Sequence, residues 1–255
     1  MPQKPDSLLA ARFKASPNFG ERRGAGPPDM ILLHYTGMTS EAAALKRLCD
    51  PAAEVSAHYV IREDGEIIQL VRESMRAWHA GAGQWAGETD INSASIGIEI
   101  ANPGHPGGLP DFPGAQIKSV IALCRDVSRR HHIMPARVLA HSDTAPGRKI
   151  DPGEKFPWDV LARNGAGHYV VPAPLKKRGR GLQPGDESAA VRLWQSMLGA
   201  YGYGIEETGA FDRQTQTVTE AFQRHFRPAK IDGIADHSTI ATLDRLLKSL
   251  APPAG

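Results

Sequence analysis

The stretch His141-Ser-Asp-Thr-Ala-Pro-Gly-Arg-Lys-Ile-Asp151-Pro-Gly153 places a histidine, a lysine and an aspartate on one short segment between turn-forming residues. The segment Arg137-Val-Leu-Ala140 before it, which is apolar after its arginine, predicts a short strand that presents the His141 imidazole at its end. The prolines and glycines that follow keep the backbone out of helix and sheet, so the loop can return Asp151 to His141. We therefore interpret His141 and Asp151 as candidate metal ligands.

A third ligand is predicted at His34, which ends the apolar run Met30-Ile-Leu-Leu-His34 in the same way. Two imidazoles and one carboxylate with an open fourth position form the donor set of a catalytic zinc site. The chain has ten histidines, and any single one is more often an ordinary core or surface residue. The combination of two strand-terminal histidines with a Pro/Gly-braced aspartate favours a metal site.

A carboxylate is predicted inside a central strand. Glu99 lies in Ser95-Ile-Gly-Ile-Glu-Ile-Ala101, where apolar residues occur on both sides of it. Burial of a carboxylate is costly unless the group is paired or used in chemistry. Exposure of Glu99 on one face of the sheet is the alternative.

Three segments resemble the signature segments of the zinc-dependent N-acetylmuramoyl-L-alanine amidases of the AmpD and AmiD type. They are Leu33-His-Tyr-Thr-Gly37, Ile96-Gly-Ile-Glu-Ile-Ala-Asn102 and the stretch 141–153. The resemblance covers about residues 20–165 and keeps the order of the family's segments. It implies an α/β fold with a mixed central sheet flanked by helices, as in peptidoglycan recognition proteins.

The resemblance also implies the chemistry. One Zn²⁺ per chain would be held by His34, His141 and Asp151, with Glu99 as the proton shuttle and Lys149 as the group that stabilises the oxyanion. An exposed structural lysine is the alternative for Lys149. The bond cleaved would join N-acetylmuramic acid to L-alanine in peptidoglycan or muropeptides, and the residues leave open whether the sugar is the 1,6-anhydro form.

Five further residues are candidates for substrate binding, each with a structural alternative. Trp78 and His79 are interpreted as the wall of a substrate cleft or, equally, as parts of a packing loop. For His58, a histidine satisfied by neighbouring backbone is favoured over substrate contact. Arg148 suits a peptide carboxylate, although an exposed loop arginine is the simpler interpretation. Asn102 opens a Gly/Pro-rich loop at residues 102–113, and long loops in compact domains are often functional.

Local patterns predict the remaining elements of this half. Residues 1–28 are expected to be an irregular lead-in, and a helix begins at Glu41 after a cap at Thr39 or Ser40. Residues 56–70 predict a β-hairpin with Asp64-Gly65 in its turn. Apolar residues at helical spacing predict a helix over 114–130, and a short helix is expected near residue 160.

The second half is predicted to be a small three-helix domain, with helices over 187–198, 213–225 and 238–250. Asp212 and Asp236 are expected as helix caps. This half resembles the peptidoglycan-binding domain found beside many cell-wall hydrolases, although Thr208 replaces the usual acidic residue before the turn glycine. A spacer or dimer contact is the alternative role. The predicted division is 1–165 catalytic domain, 166–184 linker and 185–255 helical domain.

Composition and charge set few limits on function. The chain is 41% hydrophobic with a formal net charge of +2, which is typical of globular proteins and gives no argument for nucleic-acid binding. We interpret the basic cluster Lys176-Lys-Arg-Gly-Arg180 as a solvated linker rather than a nucleic-acid or glycan contact. Cys49 and Cys124 are expected to be buried free thiols.

No secretory signal or membrane-spanning run is apparent in the sequence. A cytoplasmic location is therefore expected, or the periplasm or cell envelope if a signal has been removed. The oligomeric state is not predicted.

Two rival functions are retained. A non-catalytic peptidoglycan recognition protein would have lost a metal ligand, but all three ligand positions and Glu99 are filled by competent residues. A zinc peptidase acting within the stem peptide is the second rival, and the helical His-Glu-x-x-His motif of many such enzymes is absent.

Overall fold

The computed structural model describes residues 4–24, 26–175 and 179–250. These form two compact units: unit 1 comprises the described residues within 1–83, 90–141 and 151–168, and unit 2 comprises those within 84–89, 142–150 and 169–255. The units are therefore not continuous in sequence. Three of the five residues in the predicted basic linker cluster, 176–178, lie outside the described residues.

The strands of the described chain all fall in unit 1. They are β1 Arg12–Phe13, β2 Phe19–Glu21, β3 Met30–Tyr35, β4 Tyr59–Ile61, β5 Ile67–Gln69, β6 Met75–Ala77, β7 Ser95–Ile100 and β8 Val138–Ala140.

The α-helices are distributed over the whole described chain. They are α1 Glu41–Leu48, α2 Ile91–Ala94, α3 Gly114–His131, α4 His141–Thr144, α5 Trp158–Arg163, α6 Ala189–Tyr201, α7 Arg213–Phe226 and α8 His237–Leu250. Short 3₁₀ turns occur at Pro51–Ala53, His105–Gly107 and Pro135–Arg137.

Unit 1 is built on a six-stranded mixed sheet in the order β1-β5-β4-β7-β3-β8. Only β4 and β5 pair antiparallel, and the other neighbours are parallel. The apolar runs of β3 and β7 fit this position, because strands of a parallel sheet are usually covered on both faces. The predicted mixed α/β architecture is confirmed, and β7 is a central strand as expected.

Several local predictions are confirmed in unit 1. Helix α1 begins after Ser40, whose side chain accepts a hydrogen bond from the backbone N–H of Ala43. The predicted hairpin is formed by β4 and β5, and Gly65 in its turn has a positive φ of 90°. The predicted helix over 114–130 corresponds to α3, which buries Val120 and Val127.

Two expectations are wrong. The lead-in contains β1, which pairs with β5, and β2, which pairs with β6. Strands of two or three residues are fixed by partners more than fifty residues away, so local periodicity does not reveal them. Cys124 is buried as expected, but Cys49, the residue that caps the end of α1, is partly exposed.

Unit 2 contains the three predicted helices, α6, α7 and α8. The side chain of Asp212 accepts a hydrogen bond from the N–H of Thr215, and that of Asp236 accepts one from Thr239, so both predicted caps are confirmed. Ala173, within the predicted linker, is buried and its N–H donates to the Thr242 hydroxyl.

A buried glutamine of α6 holds the turn that precedes α7. The Gln195 side-chain oxygen accepts from the N–H of Gly209 at 2.8 Å. Its amide nitrogen donates to the carbonyl of Ala210 and to the hydroxyls of Thr208 and Thr215. The turn is therefore tied to α6 by this side chain and also by Arg192, whose guanidinium donates to the carbonyls of Glu207 and Thr208.

The same arrangement recurs in the next helix. The Gln223 oxygen accepts from the N–H groups of Asp232 and Gly233, and its nitrogen donates to the Asp232 carboxylate and the Thr239 hydroxyl. Thr208 and Asp232 occupy equivalent positions in these two hydrogen-bond networks. This equivalence identifies an internal repeat that sequence reasoning missed. In this repeat the Thr208 hydroxyl performs the structural task of an acidic residue.

Candidate metal centre and active site

The site lies where three neighbouring parallel strands end. Strands β7, β3 and β8 are adjacent, and their carboxyl ends meet at one edge of the sheet. His34 pairs in register with Glu99, and the register of Leu33 with Ala140 puts His141 level with His34. Residues paired across neighbouring strands face the same side of a sheet. Glu99, His34 and His141 are thus brought to one edge by strand register alone.

Three donor atoms converge at this edge. The Nδ1 atoms of His34 and His141 are 2.9 Å apart, and each lies 3.0 Å from Oδ2 of Asp151. All three residues are buried, and within the described residues they form the one group of three His, Cys, Asp or Glu able to hold a metal ion. The predicted ligands are therefore brought together by the fold.

Asp151 has the charge that a metal ligand requires. Burial by itself would raise the pKa of Asp151, but the facing imidazoles of His141 and His34 outweigh burial and hold this pKa well below its usual range. The carboxylate is consequently ionised, and metal ligands must be deprotonated.

The second ring nitrogen, Nε2, of His34 and of His141 contacts one of two consecutive residues, His79 and Ala80. Nε2 of His34 lies 3.0 Å from Nδ1 of His79, and Nε2 of His141 lies 2.9 Å from the carbonyl oxygen of Ala80. Burial lowers the pKa of His79 well below its usual value, and the charges of the neighbouring histidines add to this effect. His79, predicted at the substrate wall, is therefore a neutral imidazole against the back of His34.

His58 is fully buried and has both ring nitrogens in contact with backbone. Its Nδ1 accepts from the N–H of Gly97 at 2.9 Å, so Nε2 carries the proton and donates to the carbonyl of Met75 at 3.0 Å. Burial, followed by the positive charge of Arg22, lowers the pKa of His58 to about 3. These contacts favour the structural interpretation of His58 over substrate contact.

Two further candidates for substrate binding, Trp78 and Asn102, differ in burial. Trp78 is partly exposed, and its backbone N–H donates to the Ser56 hydroxyl. Asn102 is buried, donates to the carbonyl of Pro110 and accepts from the N–H of Gly104. Asn102 therefore shapes the loop that it opens, and a substrate role for either residue stays a prediction.

The remaining site candidates differ in exposure. Glu99 is partly exposed in β7. Arg148 is exposed and Lys149 partly exposed, in the segment 142–150 of unit 2. Their roles in catalysis and substrate binding stay predictions.

Asn92 and Ala80 were missed by sequence reasoning. The Asn92 side-chain oxygen accepts from the N–H groups of both His79 and Ala80. No sequence motif marks a backbone carbonyl as a partner of His141, and an asparagine near a helix start is usually interpreted as a turn residue. Only the folded chain shows this contact.

Comparisons with known proteins agree with the geometry. A family model described as N-acetylmuramoyl-L-alanine amidase matches residues 24–154, and one described as "Putative peptidoglycan binding domain" matches residues 187–243. The N-acetylmuramoyl-L-alanine amidase AmiD of Escherichia coli (strain K12) is 37% identical over 231 residues, which cover 86% of this chain and 82% of that protein. The 1,6-anhydro-N-acetylmuramyl-L-alanine amidase AmpD of Citrobacter freundii is 38% identical over 168 residues, covering 59% and 88%.

Solved structures give the same result. The complex of E. coli AmiD with anhydro-N-acetylmuramic acid-L-Ala-D-gamma-Glu-L-Lys has a TM-score of 0.74 and 34% identity, covering 91% of this chain and 98% of that one. AmpDh3 of Pseudomonas aeruginosa with anhydromuramic pentapeptide has a TM-score of 0.72 and 29% identity, covering 97% and 100%. Among the described helices, none is long and apolar enough to cross a membrane. The chain belongs to the N-acetylmuramoyl-L-alanine amidase family.

Proposed function

We propose that this chain uses zinc to hydrolyse the amide bond between N-acetylmuramic acid and the L-alanine of the stem peptide. The observation that carries the proposal is the convergence of His34, His141 and Asp151 beside Glu99 at the carboxyl ends of three parallel strands. Reactive groups at the ends of such strands are held by the sheet itself, which limits their movement during a reaction.

The donor set fits zinc. Two imidazole nitrogens and one carboxylate oxygen are ligands that zinc prefers, and three protein ligands leave a position for water or substrate. The three donor atoms lie 2.9–3.0 Å from one another. This spacing is slightly shorter than the distance of about 3.3 Å expected between ligands around a tetrahedral zinc ion, given bonds of about 2 Å. We propose one Zn²⁺ per chain.

Zinc bound there would supply a Lewis acid that acidifies water and polarises the scissile carbonyl. Glu99 would accept the proton of the attacking water and pass it to the departing amine of L-alanine. Its position in β7, level with His34, keeps the carboxylate beside the ligands, and its partial exposure leaves it accessible to substrate. Proton transfer of this kind contributes about a hundred- to ten-thousand-fold to the rate.

Four other residues complete the proposal. Lys149 would place an ammonium near the oxyanion that develops on the carbonyl oxygen. The Arg148 guanidinium would bind a carboxylate of the stem peptide. Trp78 would pack against the sugar or peptide with its exposed part, and Asn102 would set the shape of the loop 102–113.

The substrate is proposed to be a muropeptide that carries the stem peptide. The related AmiD structure contains anhydro-N-acetylmuramic acid-L-Ala-D-gamma-Glu-L-Lys and the AmpDh3 structure contains anhydromuramic pentapeptide, which supports the soluble anhydro form. The match of residues 187–243 to a peptidoglycan-binding family supports attachment to polymeric wall. The division into residues 1–165, 166–184 and 185–255, and the compartment in which the protein acts, are retained as predictions.

Mass-spectrometric product analysis tests the proposal. The full chain would be incubated with intact sacculi and, separately, with a soluble anhydro-muropeptide, each with and without a zinc chelator. We expect free stem peptide and free muramyl sugar, lost on chelation and restored by zinc. Release from both substrates would indicate action on the wall, whereas release from the soluble substrate alone would indicate recycling.

The same experiment separates the two rivals. A shortened peptide still attached to the sugar would indicate a peptidase acting within the stem. Absence of cleavage from either substrate by protein with zinc bound would contradict the proposal and leave a recognition protein.

A further inference from the structure

Both histidine ligands present Nδ1 to the metal position, so each must keep its proton on Nε2. A neutral imidazole in the other tautomer would place hydrogen on the atom that has to donate its electron pair. The protein must therefore provide a hydrogen-bond acceptor behind each ring. Those acceptors come from consecutive residues, His79 and Ala80.

The tautomer of His141 follows from the nature of its partner. The group 2.9 Å from its Nε2 is the carbonyl oxygen of Ala80, which can only accept a hydrogen bond. Nε2 of His141 must then be the donor. Its Nδ1 consequently offers a lone pair toward His34 and Asp151.

The tautomer of His34 is set through a chain of hydrogen bonds. The Ser95 hydroxyl donates to the carbonyl of Ile91 at 2.5 Å, so its oxygen is left to accept from Nε2 of His79 at 3.4 Å. His79 with hydrogen on Nε2 has a lone pair on Nδ1, which accepts from Nε2 of His34 at 3.0 Å. Each bond in this chain therefore runs from His34 outward, and in the neutral ring Nδ1 of His34 carries no hydrogen.

Two features hold this chain of hydrogen bonds in place. The His79 ring lies directly over Gly97 of β7, where an added Cβ would be 2.4 Å from the ring. The Asn92 side-chain oxygen accepts from the N–H of His79 at 2.9 Å and from the N–H of Ala80 at 2.8 Å. One side chain thus fixes the dipeptide that serves both ligand histidines.

We propose that Asn92, His79 and Ser95 are positioning residues that fix the tautomer of both histidine ligands and thereby set the affinity for zinc. The inference rests on the proposed function, because it takes His34, His141 and Asp151 to hold the metal. It assigns His79 a task behind the metal position instead of on the substrate wall.

The first test measures zinc affinity of the full chain by competition with a chelator. His79→Phe keeps a flat ring over Gly97 but removes the acceptor for His34, and we expect zinc to bind about ten- to a hundredfold more weakly. Ser95→Ala should weaken binding less, by about threefold to tenfold, because His79 keeps its ring and loses only its outer partner.

Ser93→Ala is the matched control. Ser93 is a buried serine of the short helix α2, which ends just before Ser95, but its hydroxyl donates to Asp90 and takes no part in the chain of hydrogen bonds. Its zinc affinity should stay within about twofold of the unmodified chain. An equal loss in Ser93→Ala and Ser95→Ala would overturn the inference, because it would show a general effect of disturbing the junction between α2 and β7.

The second test uses a conservative rescue at Asn92. Asn92→Asp keeps an oxygen that can accept from both N–H groups, whereas Asn92→Ala removes it. We expect Asn92→Asp to bind zinc nearly as tightly as the unmodified chain and Asn92→Ala to bind it about tenfold more weakly. Thermal melting of the zinc-free proteins would show whether a variant is folded.

Two-bond ¹H–¹⁵N correlation spectra of the histidine rings read the tautomers directly. In the zinc-free chain we expect hydrogen on Nε2 of His34, His79 and His141, with the His79 and His34 signals changed by Ser95→Ala and the His141 signal retained. Hydrogen on Nδ1 of His79 in the unmodified chain would overturn the inference. If the unmodified chain binds no zinc, the proposed function itself fails. If it binds zinc and His79→Phe binds it equally well, only the present inference fails.

Discussion

The cluster of His34, His141 and Asp151 in unit 1 and the cluster of Asp143, Tyr203 and His225 in unit 2 both bury a carboxylate against imidazole. In unit 1, one carboxylate oxygen of Asp151 lies 3.0 Å from Nδ1 of both histidines. In unit 2, the two oxygens of Asp143 are divided: one accepts from the Tyr203 hydroxyl at 2.8 Å and the other contacts Nδ1 of His225 at 2.7 Å.

The difference shows how a candidate metal site is distinguished from a structural contact between a carboxylate and an imidazole. Three donor atoms directed at a common point are best satisfied by a cation between them, whereas oxygens that each have their own partner are already satisfied by hydrogen bonds. Both clusters are buried and bring an aspartate against imidazole, although the third group is a second histidine in unit 1 and the phenol of Tyr203 in unit 2. The direction of the donor atoms and the nature of this third group carry the distinction, and the following variants test it.

The largest effect is expected for Asp151→Asn. The change keeps the shape but removes the negative charge between two ligand histidines, so we expect zinc content to fall from about one ion per chain to near zero, with amidase activity lost. Elemental analysis after dialysis and the product assay measure both. His225→Phe, in the other cluster, should keep its zinc, and loss of zinc from that variant too would remove the distinction between the clusters.

Glu99→Gln should separate catalysis from metal binding. The amide cannot take up the proton of water, so we expect kcat to fall about a hundred- to ten-thousand-fold with zinc content unchanged. Glu66→Gln, at a surface ion pair of the same sheet, serves as the control. Full activity in Glu99→Gln would exclude this residue as the proton shuttle.

His225→Phe should destabilise the protein without affecting the metal. The change removes the imidazole that contacts one oxygen of the buried Asp143 carboxylate, at a cost of about 3 kcal/mol in the free energy of unfolding. Added zinc should still raise Tm as it does in the unmodified chain, because a ligand that binds only the folded state stabilises that state. Calorimetry with and without zinc measures both effects. If His225→Phe is as stable as the unmodified chain, the contact between Asp143 and His225 contributes nothing to the free energy of unfolding.

The smallest effect is expected for Tyr203→Phe, which removes one hydrogen bond to a carboxylate. We expect a loss of about 1.5–2 kcal/mol near neutral pH, since hydrogen bonds to charged groups are worth about this much. Chemical denaturation measures it. An unchanged free energy of unfolding would indicate that the Asp143 oxygen is satisfied equally well without the phenol.

The same variant has an expected pH signature. Burial and then the negative charge of Asp143 raise the pKa of Tyr203 well above its usual value. The folded chain keeps the phenol protonated where the unfolded chain ionises it, so its stabilising effect is intact below about pH 10 and is lost as the pH rises further. Above that pH, the free energy of unfolding of Tyr203→Phe should fall by about 1.4 kcal/mol less per pH unit than that of the unmodified chain. Parallel slopes for the two proteins would contradict the assignment.

Much of unit 1 was predictable because its patterns are local. The apolar run that ends at His34, the alternation around Glu99 and the Pro/Gly residues before Asp151 each predict an element and its end. Strand register then brings the ligands together without further information. By contrast, β1 and β2 were missed, because each is defined by hydrogen bonds to strands far along the chain.

Unit 2 also shows that local sequence patterns predict elements but not long-range contacts. Its helices and the caps at Asp212 and Asp236 follow from periodicity and side-chain type. The pairing of Asp143 with His225 joins residues 82 positions apart, and nothing near either residue in the sequence indicates it. Contacts of this range depend on how the helices pack.

By itself the sequence determined the choice of His34, His141 and Asp151 as candidate ligands and of Glu99 as candidate proton shuttle, because the required residue types occur at strand ends and beside turn-forming residues. Only the tertiary structure decided which nitrogen of each histidine faces the metal position. That choice depends on the carbonyl of Ala80 and the ring of His79, which reach His141 and His34 through folding. Hydrogen-bond direction is a property of atoms in space, and no residue pattern encodes it.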